Sequence, residues 1–177
     1  MSGAENSNEN RFTFSSRFTP NVVRRAQVRT TLTYRITPRL QAGVEVNPRS
    51  TKEKANPLVN WLALPETKNI PAVIIGTSSD RIGTPSGQSF YATASKNLKR
   101  ETRLPIAPYF GFVYGTYENR FRPIGGLNIG FTGNLTALVI FDGVHVHPLL
   151  NFSYRRHVFS FILVRGYQPG VSYSISF

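Results

Sequence analysis

Apolar and polar residues take turns along much of the chain. Phe12, Phe14, Ser16 and Phe18 alternate with Thr13, Ser15, Arg17 and Thr19, and Val28, Thr30, Leu32, Tyr34 and Ile36 alternate with Arg29, Thr31, Thr33 and Arg35. Leu40, Ala42, Val44 and Val46 do the same with Gln41, Gly43, Glu45 and Asn47. The pattern returns late, with Leu127, Ile129 and Phe131 against Asn128 and Gly130. It continues with Val144, Val146, Leu150, Phe152 and Tyr154 against His145, His147, Asn151 and Ser153. A strand sends successive side chains to opposite faces, so a period of two marks strands with one apolar and one polar face. Three middle stretches, 57–64, 71–78 and 105–117, are apolar on both faces in places and read as strands packed on both sides. No window of helical length repeats its apolar residues at three and four.

Breakers separate these runs: Thr37-Pro38, Asn47-Pro48, Ser79 to Gly87, Thr132-Gly133-Asn134, Asp142-Gly143 and Gln168-Pro169-Gly170. Asp-Gly between two alternating runs is a strong hairpin signal. The pattern predicts about 12 strands of roughly 7–11 residues with short connections. With no crossover helix the sheet must be antiparallel, and an even meander closes most simply into a barrel, which removes both edges. The expectation is therefore an all-β chain: a closed antiparallel up-and-down barrel over 11–177, behind a polar, disordered N-terminal segment 1–10.

Period alone does not say which face meets solvent. A soluble, lipocalin-like barrel binding a small apolar or anionic ligand turns its apolar face inward, whereas a membrane barrel turns it toward lipid and keeps a polar lumen. The polar face carries Arg17, Arg29, Arg35, Gln41, Glu45, Asn128, His145, His147 and Asn151, large groups that pair well in a wet lumen, such as Arg29 or Arg35 with Glu45. Thirteen Phe and eight Tyr are available, and Phe12, Tyr34, Tyr91, Tyr117, Phe121, Phe141, Tyr154, Tyr167 and Phe177 stand near predicted strand ends. Such residues suit the two aromatic girdles of a membrane barrel, and they are also good strand formers.

The last strand tilts the choice toward the membrane. Val171, Tyr173, Ile175 and Phe177 share one face and Ser172, Ser174 and Ser176 the other. This resembles the C-terminal signal of bacterial outer-membrane β-barrels, which end on an aromatic with apolar residues at alternate positions before it. The resemblance implies recognition by the outer-membrane assembly machinery and closure of the last strand against the first. The segment LTALVIFDGVHVHPLLNFSYRRHVFSFILVRGYQPGVSYSISF (135–177) further resembles the closing hairpins of the YjbH-like, exopolysaccharide-associated outer-membrane proteins, through Asp142-Gly143, Ser153-Tyr154 and Ser172-Tyr173-Ser174. LTYRITPRLQAGVEVNP (32–48) is similar to their early hairpins. The family implies a transmembrane barrel in the bacterial outer membrane, with lipid and lipopolysaccharide around it. It also implies a role as an accessory of polysaccharide export, while the inward arginines point to a narrow anion-favouring pore. With both termini on the periplasmic side, loops 47–56 and 79–87 are expected outside and the turns at Thr37-Pro38 and Thr132-Gly133-Asn134 inside.

Composition narrows the chemistry. The 177 residues carry 21 Lys and Arg against 9 acids, a net charge of +12. The basic residues are scattered and the dense runs, Lys52-Glu53-Lys54 and Lys96 to Arg103, include acids, so they read as solvated loops and nucleic acid is not an expected partner. Cysteine is absent, which excludes disulfides, and no apolar run is long enough for a transmembrane helix. MSGAENSNEN lacks the apolar core of a secretory signal, so export calls for a leader beyond these residues.

No enzyme, cofactor or metal is expected. His145 and His147 share a strand face, but the nearest acid, Asp142, is needed by its turn, so both read as lumen side chains. His157 and Ser160 fall on opposite faces, no nucleophile elbow accompanies them, and glycine-rich phosphate loops are absent. Gly125-Gly126 reads as a bend that lets strands approach. Arg17, Arg29 and Arg35, with Glu45, His145 and His147, are the candidate lumen-lining, anion-attracting residues.

Overall fold

The computed structural model describes residues 10–177; the polar N-terminal segment expected over 1–10 lies, apart from Asn10, outside the described residues. Twelve strands form one closed antiparallel barrel in chain order. They are β1 (Phe12–Phe18), β2 (Val28–Thr37), β3 (Leu40–Val46), β4 (Ala55–Leu64), β5 (Ala72–Ser79) and β6 (Gln88–Ser95). β7 (Ile106–Gly115), β8 (Arg120–Gly130), β9 (Leu135–Phe141), β10 (Val146–Tyr154), β11 (His157–Val164) and β12 (Gln168–Ser176) complete it. Two four-residue helical turns interrupt the connections, α1 (Arg24–Gln27) before β2 and α2 (Lys99–Thr102) before β7. The stretches that are apolar on both faces are strands β4, β5 and β7.

β12 closes the barrel against β1, with Thr13 opposite Ser176, Ser15 opposite Ser174 and Arg17 opposite Ser172. Hydroxyls stitch the inner side of this seam: Thr13 Oγ1 lies 3.1 Å from Ser176 Oγ, and Ser174 Oγ donates to Ser15 Oγ at 2.8 Å. Aromatic rings cover its outer side, with Phe12 4.8 Å from Tyr34 and 5.8 Å from Phe177 between centroids.

The register fixes which face is which. The outer wall carries the apolar set of every alternating strand, and its large side chains stand exposed all the way round: Leu32, Val44, Trp61, Ile75, Phe90, Phe110, Phe112, Leu150, Phe159, Phe161 and Val171. Trp61 is 49% exposed and Phe110 57%. The inner wall has two sectors. From β12 through β4 it is hydroxyl, amide and charged, including Ser172, Ser15, Thr31, Glu45 and Asn60. From β7 through β11 it is largely aliphatic, with Val113, Ile124, Leu138, Leu149 and Ile162.

Tyr91 is a correction to the girdle read from the sequence: it points into the lumen, opposite Gly76, and donates to the Asn60 side-chain oxygen. Tyr109 also points into the lumen, opposite Gly126. A β-carbon on Gly126 would lie 2.5 Å from the Tyr109 ring and 2.2 Å from the Val139 carbonyl oxygen. The glycine gives the ring its place, so the Gly125-Gly126 pair sits inside a straight ladder rather than at a bend.

The two ends of the barrel differ. The end that carries Arg11 and Phe177 also carries the turns at Pro38, Lys68, Gly133 and Arg155 and the α2 loop. It is strongly basic, with Arg39, Lys68, Lys99, Arg100, Arg103, Arg155 and Arg156 against Glu66 and Glu101 among the described residues. Its inward side chains, Thr13, Ser174, Arg35, Gln41, Thr136 and Asn151 among them, are part exposed. The opposite end carries the connections 19–27, 47–54 and 80–87 and is filled by buried polar groups: Thr19, Arg25, Asn47, Ser50, Asp80, Thr84 and Ser86. The loops expected on one side, 47–56 and 79–87, share that end, and the turns at 37–38 and 132–134 share the other. Loop length does not follow the expected contrast, because the connection holding α2 (96–105) lies at the terminal end and is as long as those opposite.

Candidate functional site

The charged groups of the lumen gather on β1, β2 and β3. Arg17 and Arg29 are direct cross-strand partners on the inward face. Like charges placed opposite each other destabilise a ladder unless something neutralises them. One carboxylate answers: Arg29 Nη2 donates to Glu45 Oε2 at 2.6 Å, and Glu45 is fully buried. Glu45 also accepts from the Asn47 amide at 3.0 Å and from the Ser79 hydroxyl. Its hydrogen bonds thus go to Arg29, Asn47 and Ser79. Arg17 makes no hydrogen bond or ion pair among the described residues, and the Nε atoms of Arg17 and Arg29 are both buried without a protein acceptor. Arg35 also faces the lumen, opposite Gln41 and closer to the terminal end, again without an ion pair among the described residues.

Arg25 closes the mouth on the side of β1 to β5. It sits on α1 and lays its guanidinium into the 80–87 connection, donating from Nε to the Thr84 carbonyl at 2.9 Å. From Nη2 it donates to the Asp80 and Arg81 carbonyls at 2.8 and 2.6 Å. Burial lowers the Arg25 guanidinium from its ordinary value, while Glu45 and Asp80 pull it back up. Thr19 Oγ1 pins α1 within its own 19–27 connection by donating to the Ala26 carbonyl at 2.6 Å. Sequence reasoning missed Arg25, because a cation in a breaker-rich connection carries no periodic signal and its partners, mostly backbone carbonyls, lie more than fifty residues away.

Beside this plug, between the walls of β5 to β9, lies a cavity of about 190 Å³. Tyr91, Tyr109, Val113 and Ile124 line its depth, and Arg81, Glu118, Arg120, Arg122 and Asp142 stand at its rim. Glu118 holds two of the cations, with Arg122 Nη2 at 2.7 Å and Arg81 closer still. The hydrogen bond from Arg81 leads in keeping the Glu118 carboxyl below its usual range, against a small desolvation cost and with help from Arg122. Arg120 makes no ion pair among the described residues.

The two histidines separate. His147 points inward and is 2% exposed, donating from Nε2 to Asp142 Oδ2 at 2.9 Å while its Nδ1 accepts the Arg165 amide at 3.1 Å. His145 lies in the turn between β9 and β10, at the rim rather than on the lumen wall, and burial lowers its imidazole from the ordinary value while Asp142 raises it. Asp142 serves its turn as anticipated, accepting the Val144 and His145 amides at 2.9 and 2.7 Å. Of the last strand, Val171, Tyr173 and Ile175 face outward and Phe177 lies beside Phe12, while the serines between them form the seam. Among the described residues, no group of three His, Cys, Asp or Glu side chains converges on a point that would hold a metal.

The architecture defines a class, the closed 12-strand up-and-down barrel, here with a charged inner sector and an apolar outer wall. No protein-family model matches the chain, and no curated protein does either.

Proposed function

We propose that the chain is a transmembrane β-barrel of a bacterial outer membrane, without enzymatic activity, whose lumen favours small anions. One observation carries the reading: the outer wall exposes large apolar and aromatic side chains around its whole circumference while ionic groups face inward. Water would penalise so continuous an apolar surface, whereas lipid requires it, since monomeric soluble proteins rarely show patches above a few hundred Å². The strands run from 7 to 11 residues, enough at the usual tilt for an apolar band of roughly 20–25 Å. Closure matters equally, because a barrel leaves no backbone edge to be satisfied by lipid.

The anion preference follows from arginines without carboxylate partners inside the lumen and at both mouths, Arg17, Arg35 and Arg120. A low-dielectric wall focuses such a field along the path. The basic terminal end would meet anionic headgroups of the periplasmic leaflet, and the last strand would be read by the assembly machinery. The test expresses the chain behind a leader and asks for heat-modifiable mobility in the outer-membrane fraction. A band that migrates faster unheated than boiled supports the proposal, as does a reversal potential favouring chloride over potassium in a planar bilayer. A protein that stays monodisperse in buffer without detergent sinks it and favours a soluble barrel.

A further inference from the structure

We propose that the lumen contains a built binding site for a small oxyanion, a carboxylate or phosphate held between Arg17 and Arg29. The inference deepens the anion path just proposed but rests only on the lumen being wet, not on the bilayer around it.

Three observations converge. The two arginines are direct partners across the β1–β2 ladder, at the spacing where side chains interact most strongly. The carboxylate that faces them, Glu45, accepts from Arg29, Asn47 and Ser79 and makes no hydrogen bond to Arg17 among the described residues. The Nε donors of both arginines are buried without a protein acceptor, and a buried, unpaired guanidinium donor is costly. An oxyanion answers all three at once. It offers oxygens to both guanidiniums, which are forked donors suited to carboxylate and phosphate, and it cancels the repulsion between them.

The surroundings fit a polar ligand of modest size. Hydroxyls flank the pair, with Ser172 opposite Arg17 and Thr31 opposite Glu45 on the same inner face. The part-exposed hydroxyls of the seam, Thr13, Ser15 and Ser174, lead from the basic terminal end to the site. Arg35 stands along that approach. The opposite inner wall is largely aliphatic, so the charged sector is the binding side. Glu45 acts as a positioning residue, holding Arg29 through Nη2 and leaving its Nε without a protein acceptor.

The full chain, folded in non-ionic detergent and verified as closed by its unheated gel mobility, is melted in sodium phosphate, sodium acetate and sodium chloride of matched ionic strength. Phosphate or acetate is expected to raise Tm saturably over chloride, by about 3 °C or more. Arg17→Gln is expected to lose that increment and to weaken phosphate retention in equilibrium dialysis at least tenfold. It should melt no lower than wild type in chloride, because it removes a repulsive partner. A response to phosphate alone identifies a phosphoryl ligand, and a response to acetate as well identifies carboxylates. Equal melting of the wild type in all three salts overturns the site whether or not the variant folds, as does an increment that survives in Arg17→Gln. A chain that is heat-modifiable but indifferent to the anion keeps the barrel and loses the site, and a soluble chain that retains phosphate does the reverse.

Discussion

His147 and Asp142 tie two turns of the barrel together, Nε2 to Oδ2 at 2.9 Å, while the Arg165 amide reaches His147 Nδ1 from the neighbouring connection. Because Nδ1 accepts, the imidazole proton lies on Nε2 and points at the carboxylate. Burial alone would raise the Asp142 carboxyl, but the hydrogen bonds from His147, His145 and Val144 outweigh it and hold the group at about 2. A depressed carboxyl contributes stability above its unfolded pKa and loses it as pH falls toward the folded value. Wild-type stability should therefore decline between about pH 4 and pH 2, in a step that Asp142→Asn lacks. Allowing for solvent screening of a partly exposed group, the step is worth about 1–2 kcal/mol. Denaturant midpoints measured across that range check it, and parallel profiles for the two proteins would remove the linkage.

Arg25 presents a different opportunity, because its hydrogen-bond partners are carbonyls and the Thr84 hydroxyl rather than carboxylates. Arg25→Gln cannot reach the Asp80, Arg81 and Thr84 carbonyls together, so the 80–87 connection should detach from α1. The expected result is a larger single-channel conductance in planar bilayers, with a stability loss of about 1–3 kcal/mol. Unchanged conductance would show that these loops do not occlude the path.

The outer wall separates lipid from water most directly. Phe110 is exposed near the middle of β7, with no inward contact for its side chain to lose. Phe110→Lys should cost about 2–4 kcal/mol if the residue faces the middle of a bilayer, and within about 0.5 kcal/mol of nothing if it faces water. Urea titration of the chain folded into liposomes, compared with the wild type, gives the number.

Strands with two chemically distinct faces declared themselves in the sequence: β1, β2, β3 and β12 follow the alternation residue by residue. The Asp142-Gly143 hairpin was equally legible, with Gly143 at φ +90°. The aliphatic sector was not. Leu138, Ile140, Leu149 and Ile162 face inward while Val139, Leu150 and Phe161 face outward, so period two loses its contrast there. Tyr91 reads as outward because a tyrosine suits an interface, and only the glycine opposite reveals the slot that receives it. The candidate site was half legible. The inward arginines follow from strand phase, whereas the choice of Arg29 over Arg35 as the partner of Glu45 depends on stagger between strands. The roles of Ser79 and Arg25 depend on contacts 34 and 55 residues distant, which no local pattern encodes.

The hydroxyl-stitched seam sets a timetable for folding. Every other ladder joins neighbours in the chain, but Thr13 meets Ser176 across a separation of 163 residues. That contact can form only when all the hairpins between are in place, and its loop-closure entropy is the largest in the molecule. Until then the chain is an open sheet with two bare edges, β1 and β12, each able to pair with a second copy. A barrel of this kind therefore passes through its most aggregation-prone form last, one strand pairing short of completion.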